Sequence, residues 1–166
     1  MMIETGHFAL VLAFALSLVQ VALPLLGART GDARLMAVGR PVAITCFAMT
    51  GLAFAVLVSA YMVSDFSVVN VFENSHSQKP MLYKITGTWG NHEGSMLLWV
   101  LILTLFGALV AAFGRNLPAT LQATVLSVQG MVGVAFFLFI LMTSNPFVRL
   151  NPAPIEGRDL NPILQD

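Results

Sequence analysis

The sequence predicts an all-α integral membrane protein with four transmembrane helices, a long outer loop and a Pro-rich outer tail. Of its 166 residues, 57% are hydrophobic and only 10% are charged, whereas about 25% of the residues in soluble domains are charged. The charges are also segregated, because no Asp, Glu, Lys or Arg occurs in residues 6–28, 41–64, 94–114 or 116–148. A spanning helix needs about 20 apolar residues, so each window can cross a bilayer.

The first helix is predicted at residues 8–26, where a secretory signal peptide is the main alternative. A signal peptide begins with a basic region, but the residues before Phe8 contain Glu4 and no Lys or Arg. The apolar run is also longer than the core of a signal peptide. We therefore interpret it as a spanning helix. The single Cys46 lies in the second window and has no partner, which excludes a disulfide within the chain.

Three further spanning helices are predicted at residues 41–62, 94–113 and 121–143. Pro41 suits the first turn of a helix, where its missing N–H costs nothing. Small residues and amides within the last two helices indicate helix–helix packing, because small residues allow close approach and amides hydrogen bond between helices. These residues are Gly107, Gln122, Gln129, Gly130 and Gly133.

The orientation follows from the arginines, because basic residues in short loops mark the cytoplasmic side. The two short connections carry Arg29, Arg34, Arg40 and Arg115. The N-terminus, the loop of residues 63–93 and the tail of residues 144–166 then face a periplasm or its equivalent. That side carries Lys79, Lys84, Arg149 and Arg158, so the assignment depends on the closer spacing of the cytoplasmic four. A formal net charge of zero gives no indication of a nucleic-acid partner.

The two outer segments lack the pattern of a folded domain. Residues 66–72 are rich in β-branched residues and predict an extended piece. Four prolines favour extended or turn conformations in the tail, which is either a tether or a docking strap for a partner. The candidate partner-binding residues are Glu93, Arg149, Glu156, Arg158 and Asp159.

The densest polar cluster is residues 89–99, which contain both tryptophans, His92 and Glu93. In a helix, His92, Ser95 and Trp99 share one face, which suits a flat apolar ligand or a partner helix. Each residue also has a simple structural role: a helix cap, an interfacial aromatic or an interfacial hydrogen bond. Metal-ligand spacings and paired carboxylates are absent from the sequence, so we assign no catalytic residue and no metal site.

Several runs of the sequence resemble the CcmF family, the large membrane subunit of the bacterial cytochrome c haem lyase. They are residues 89–99 (WGNHEGSMLLW), 143–147 (TSNPF), 156–166 (EGRDLNPILQD) and 31–36 (GDARLM). The resemblance extends over the whole chain, which is identified as the N-terminal part of a polytopic member of this family or of its nitrite-reductase-maturation paralogue.

The resemblance implies a role in System I cytochrome c maturation at the bacterial inner membrane. Haem is the expected cofactor, passed from the chaperone CcmE and attached to apocytochrome c on the periplasmic side. CcmH-type and CcmI-type subunits are the other expected partners. Trp89, His92 and Trp99 become candidates for residues close to haem, whereas the axial ligands of the family are expected outside this chain.

Family members are several times longer, and their tryptophan-rich haem segment has no counterpart in this sequence. We therefore expect a fragment or a split-gene subunit that does not complete the reaction alone. Without the resemblance, two alternatives stay open. One is a segment of an ion- or proton-coupled transporter using His92 and Glu93, although transporters place ionisable groups inside their helices. The other is a purely structural membrane scaffold.

Overall fold

The computed structural model describes residues 1–159 and is all-α over that range, which confirms the predicted fold class. Four of its helices are long and apolar enough to cross a membrane, and two short helices lie in the loop of residues 63–91. The helices are α1 (Met2–Thr30), α2 (Ala33–Met62), α3 (Val69–Asn74), α4 (Met81–Gly87), α5 (His92–Phe113) and α6 (Ala119–Thr143).

The connection between α1 and α2 is much shorter than the loop expected around the arginines. Gly31 ends α1 with a φ of 74°, a left-handed conformation that glycine adopts at no steric cost. The Asp32 carboxylate then caps α2 by accepting hydrogen bonds from the N–H groups of Arg34 and Leu35. The charge-free windows mark only the parts of the helices that lie in the hydrocarbon core. The helices continue into the polar region, so α1 ends after residue 26 and α2 begins before residue 41.

Amides and small residues join the spanning helices. The Gln20 side chain on α1 donates to the Leu126 carbonyl of α6 at 2.9 Å. The Gln129 side chain on α6 donates to the Leu103 carbonyl of α5 at 3.1 Å. A Cβ atom at Gly130 would lie 3.2 Å from Val21, so α1 and α6 approach closely there. These contacts confirm the predicted helix packing.

The loop between α2 and α5 is helical where an extended piece was predicted. Residues 69–72 belong to α3, and Val68 and Val71 are both fully buried. Their spacing of three residues places them on one helical face, so burial overrides the weak preference of β-branched residues for strands. The extended prediction is wrong for these residues. Within residues 66–72, the β-type pairing that the structure shows is the antiparallel bridge between Val68 and Arg149.

The tail folds back over this loop. The Val69 N–H donates to the Val148 carbonyl at 2.9 Å, and the Leu150 N–H donates to the Ser67 carbonyl at 2.8 Å. Further along, the Arg158 N–H donates to the Phe72 carbonyl at 2.8 Å. The tail therefore lies against the loop of its own chain, and the two form one layer at the end of the bundle where α1 begins, which we call the loop-bearing end.

Candidate functional site

The residues of the 89–99 cluster lie at the loop-bearing end, where α5 begins deeper in the bundle than α2 ends. The Trp89 ring stacks on Phe54 with ring centroids 6.3 Å apart and an interplanar angle of 24°. Phe54 precedes Met62, the last residue of α2, by eight positions, which is about 12 Å along a helix. The short helices α3 and α4 both lie against the end of α2 at Tyr61.

Three side chains form a polar network that fixes the start of α5. The fully buried Tyr61 hydroxyl donates to the Asn70 side-chain oxygen at 2.7 Å. The Asn70 amide donates to the Asn91 side-chain oxygen at 2.8 Å, and the Asn91 amide donates back to the Tyr61 hydroxyl at 2.9 Å. The ring joins α2, α3 and the residue that caps α5. Buried polar groups that satisfy one another in this way specify a single arrangement.

The first turn of α5 is held in the same network. The Asn91 side-chain oxygen accepts the N–H of Gly94 at 2.8 Å, which is an N-cap bond. The Asn70 amide also donates to the Glu93 carboxylate at 3.2 Å. A Cβ atom built at Gly94 would overlap the Thr88 carbonyl, so the backbone before α5 can pass this close only beside a glycine. Glu93, a candidate for partner binding, contacts the network in this structure.

His92 lies on a different side of the same turn, against α6. Its Nε2 is 3.0 Å from the Ser144 hydroxyl. Its ring meets Phe139 edge to face, with centroids 6.2 Å apart and an interplanar angle of 82°. His92 therefore contacts the residue that directly follows α6, near the point where the tail begins.

Below His92, an apolar groove runs between α5 and α6. It contains a cavity of about 450 Å³ lined by Trp99, Phe106 and Phe136 and a second of about 260 Å³ lined by Met96, Phe136 and Phe139. The two cavities share Phe136. Trp99 is 61% exposed, so its ring presents an open aromatic surface. We call the surface formed by His92, Met96, Trp99, Phe136 and Phe139 the aromatic groove.

The structure thus joins two of the three candidates for haem proximity and separates the third. Trp99 lines the larger cavity and His92 contacts Phe139, which lines the smaller one, whereas Trp89 packs on α2. The Ser95 hydroxyl donates to the Trp89 carbonyl at 2.5 Å and so holds the turn before α5. The arrangement offers a flat apolar surface with one imidazole at its end.

The charged tail residues contact the loop of the same chain. The Glu156 carboxylate accepts hydrogen bonds from the Ser77 N–H at 3.0 Å and the Ser77 hydroxyl at 2.6 Å. The Ser77 hydroxyl is the main cause that lowers the pKa of Glu156 to about 2. The Arg158 guanidinium lies 5.0 Å from the centroid of the Phe72 ring. Lys79 pairs with Asp159, so three of the candidate partner-binding residues anchor the tail.

Arg149, the remaining candidate in the tail, contacts α1. Its guanidinium lies 2.6 Å from the Glu4 carboxylate and donates to the Ser67 hydroxyl at 2.7 Å. Over residues 1–159, no group of three or more His, Cys, Asp or Glu residues could hold a metal ion. His7 and His92 each lie beside an aromatic ring at this end, Phe147 and Phe139 respectively.

Several residues of the site were not identified from the sequence. Asn70 stands alone in an apolar stretch, which is a signal for a buried polar contact. Tyr61 lies at the end of an apolar window and gives no such signal. Phe136 and Phe139 read as ordinary spanning residues, because the face that they present depends on the packing of α5 against α6.

Comparison with known proteins identifies the family. Residues 89–166 match the family described as Cytochrome C assembly protein. The chain is 63% identical over 166 residues to the cytochrome c-type biogenesis protein CycK of Rhizobium meliloti (strain 1021), covering 100% of this chain and 25% of that protein. It is 50% identical over 167 residues to the cytochrome c-type biogenesis protein CcmF of Escherichia coli (strain K12), covering 100% of this chain and 26% of that protein.

A solved structure described as Cytochrome c Heme Lyase CcmF shares the fold, with a TM-score of 0.83 and 29% identity over 92% of this chain and 26% of that one. The chain belongs to the CcmF family. It spans about a quarter of the length of the curated relatives it matches, as expected for a portion of a CcmF-type protein. The matched family region begins at Trp89 and so contains the whole residue 89–99 cluster. Family membership also favours the haem-lyase prediction over the transporter alternative.

Proposed function

We propose that this chain is a component of the System I cytochrome c haem lyase and assists attachment of haem to apocytochrome c. The observation that carries the proposal is the aromatic groove in a CcmF-family chain. Haem is a substrate in this reaction, and its vinyl groups accept the cysteine thiols of the apocytochrome. We place this chemistry at the loop-bearing end, on the periplasmic side of a bacterial inner membrane, because the short connections at the opposite end carry the clustered arginines.

The residues of the groove fit a flat apolar ligand. The larger of its two cavities, about 450 Å³, falls within the range of about 300–1,000 Å³ for small-molecule sites, and the smaller, about 260 Å³, lies just below that range. Trp99 and Phe139 present ring surfaces, and aromatic rings pair with π systems in offset or edge-to-face geometry. His92 stands at the polar end of the groove, where it can donate or accept a hydrogen bond. We assign these residues to contact with haem and expect its axial ligands elsewhere in the protein.

The tail and the loop form the surface next to the groove that partners would meet. CcmH-type and CcmI-type subunits, the haem chaperone CcmE and apocytochrome c are the proposed partners. The anchored tail passes Ser144, which contacts His92, and continues to Asp159 on the loop. A partner that binds this layer therefore lies close to the aromatic groove.

The test is complementation of a bacterial strain that lacks its own CcmF, using the native-length protein. We expect Trp99→Ala to lower holocytochrome c by about tenfold. An aromatic contact with the ligand contributes about 1 kcal/mol in addition to the free energy gained by burying the surface of the ring. The His92→Ala variant should show a similar loss. Haem-stained c-type cytochrome in membranes, at equal amounts of variant protein, is the measurement.

Two matched variants make this result interpretable. Ser144→Ala removes the partner of the His92 hydrogen bond but leaves the imidazole in place. Leu109→Ala removes another exposed apolar side chain of α5 that does not line the aromatic groove. Normal holocytochrome c in both controls, with losses in Trp99→Ala and His92→Ala, supports a haem surface. Equal holocytochrome c in all four variants would show that the aromatic groove has only a structural role.

A further inference from the structure

A separate cavity of about 430 Å³ lies between the start of α1 and the tail, and the aromatic groove does not include it. Its wall is apolar and includes Phe8, Val11 and Phe147. Phe8 is 65% exposed and Val11 is 41% exposed, so the wall opens toward the surroundings of α1. This part of the cavity suits a hydrocarbon chain.

The polar residues of the cavity form a rim of opposite charges. Glu4, His7 and Arg149 line it, and the Glu4 carboxylate lies 2.6 Å from the Arg149 guanidinium. Within residues 1–159, the guanidinium makes this ion pair and one bond to Ser67, which uses two of its five N–H groups. The exposed Glu4 carboxylate also pairs with the N-terminal ammonium of Met1 at 2.6 Å, so it already holds a primary ammonium as well as the guanidinium.

Neighbouring hydrogen bonds indicate which ring nitrogen of His7 carries the proton. The Asn145 side-chain oxygen accepts the Phe147 N–H at 3.0 Å, so its amide nitrogen faces His7. That amide lies 3.4 Å from Nδ1 of His7 and can only donate. In the neutral tautomer that accepts this bond the proton lies on Nε2, so His7 can serve as a second N–H donor among the residues that line the cavity.

The cavity lies at the depth of lipid headgroups. The α1 helix has 29 residues, which is about 43 Å at 1.5 Å per residue, against a hydrocarbon core of about 30 Å. Its first turn, with Glu4, therefore reaches the polar layer. Val11 lies about 10 Å further along the helix, at the level of acyl chains. The polar rim and the apolar wall are thus stacked along the membrane normal like the two parts of a lipid.

We propose that this cavity binds one phospholipid with a zwitterionic headgroup that carries a primary amine, such as phosphatidylethanolamine. The phosphate accepts hydrogen bonds from Arg149 and His7, and the ammonium faces Glu4. The headgroup ammonium takes the place that the Met1 ammonium holds on Glu4, and the phosphate lies beside Arg149, so each charge of the headgroup meets one of opposite sign. One acyl chain lies along Phe8 and Val11. A free phosphate would leave the apolar wall without a contact.

The test is native mass spectrometry of the native-length protein, released from membranes that contain both phosphatidylethanolamine and phosphatidylglycerol. We expect the unchanged protein to retain one phosphatidylethanolamine. Arg149→Gln should weaken its retention about tenfold, because it removes charge-assisted hydrogen bonds to the phosphate. Val11→Trp fills the apolar part without touching the rim and should weaken retention similarly. The control Arg115→Gln removes an arginine from the opposite end of the bundle.

Equal lipid retention in all four proteins would overturn the proposal, as would selective retention of phosphatidylglycerol. Displacement of the lipid by inorganic phosphate would assign the rim to a free anion instead. If Arg149→Gln does not fold, Val11→Trp decides the result, because Val11 is 41% exposed and takes no part in the ion pair between Arg149 and Glu4. The measurement counts bound lipid and not cytochrome product, so its outcome is independent of the proposed haem function.

Discussion

Helix α5 has two unlike faces. Toward α2 and the loop it is closed, with Trp89 stacked on Phe54 just before it and the Tyr61–Asn70–Asn91 network at its first turn. Toward α6 it opens into the aromatic groove, where Trp99 is 61% exposed. The contrast indicates that the closed face positions the helix, while the open face is available for a ligand. Substitutions on the closed face should therefore reduce stability, and those on the open face should reduce function.

The largest effect is expected at Gly94, on the closed face. Gly94→Ala should destabilise the protein by about 3 kcal/mol, because the added Cβ overlaps the Thr88 carbonyl and overpacking against backbone is poorly relieved. The measurement is the free energy of unfolding in detergent micelles. Gly51→Ala is the control, since its Cβ would meet only Leu101 at 3.9 Å. Equal stability of both variants would show that the closed face is not tightly constrained.

A second test removes the centre of the polar network. Asn91→Ala should cost about 2 kcal/mol, because it deletes the cap of α5 and leaves Asn70 and Tyr61 with unpaired buried groups. Asn91→Asp keeps the acceptor for Gly94 and Asn70 and should recover part of the loss. Thermal unfolding of both variants checks this. A larger loss in Asn91→Asp than in Asn91→Ala would contradict the role of that acceptor.

The two tryptophans compare the faces directly. Trp89→Ala should lower the free energy of unfolding by about 1 kcal/mol through loss of its stacking on Phe54, while Trp99→Ala should change it little in detergent. Holocytochrome c yield should show the reverse order. Unfolding titrations and haem staining of the same two variants give both quantities. If one tryptophan dominated both measurements, the distinction between the faces would fail.

The smallest effect is expected at the anchored tail. The pKa of Glu156 is about 2 in the folded protein and 4.5 for an unperturbed Glu, so its carboxylate stabilises the tail at pH values above about 4.5. This contribution is lost as the pH falls from there toward 2. Limited proteolysis between residues 150 and 159 should therefore be unchanged from neutral pH to pH 5 and increase below pH 4. Glu156→Gln should reduce this pH dependence but not abolish it, because Glu4, which pairs with Arg149 of the tail, has a lowered pKa as well.

The sequence allowed the four spanning helices and the family to be predicted because both depend on local signals. Charge-free windows mark the helices, and the run from Trp89 to Trp99 carries the resemblance. The α1–α2 connection was harder, since its length is set by the cap at Asp32 and not by hydropathy. The separation of Trp89 from His92 depends on the packing of α5 between α2 and α6, which no periodicity reports. The anchoring of the tail by Ser77 depends on contacts between residues about 80 positions apart.

The charge-free interior of the bundle has an electrical consequence. Moving one elementary charge across a membrane potential of 100 mV changes the free energy by about 2.3 kcal/mol. The hydrocarbon-spanning windows of the four helices contain no Asp, Glu, Lys or Arg, and their contacts are made by neutral amides such as Gln20 and Gln129. Movement of these windows across the membrane would therefore carry no side-chain charge through the potential.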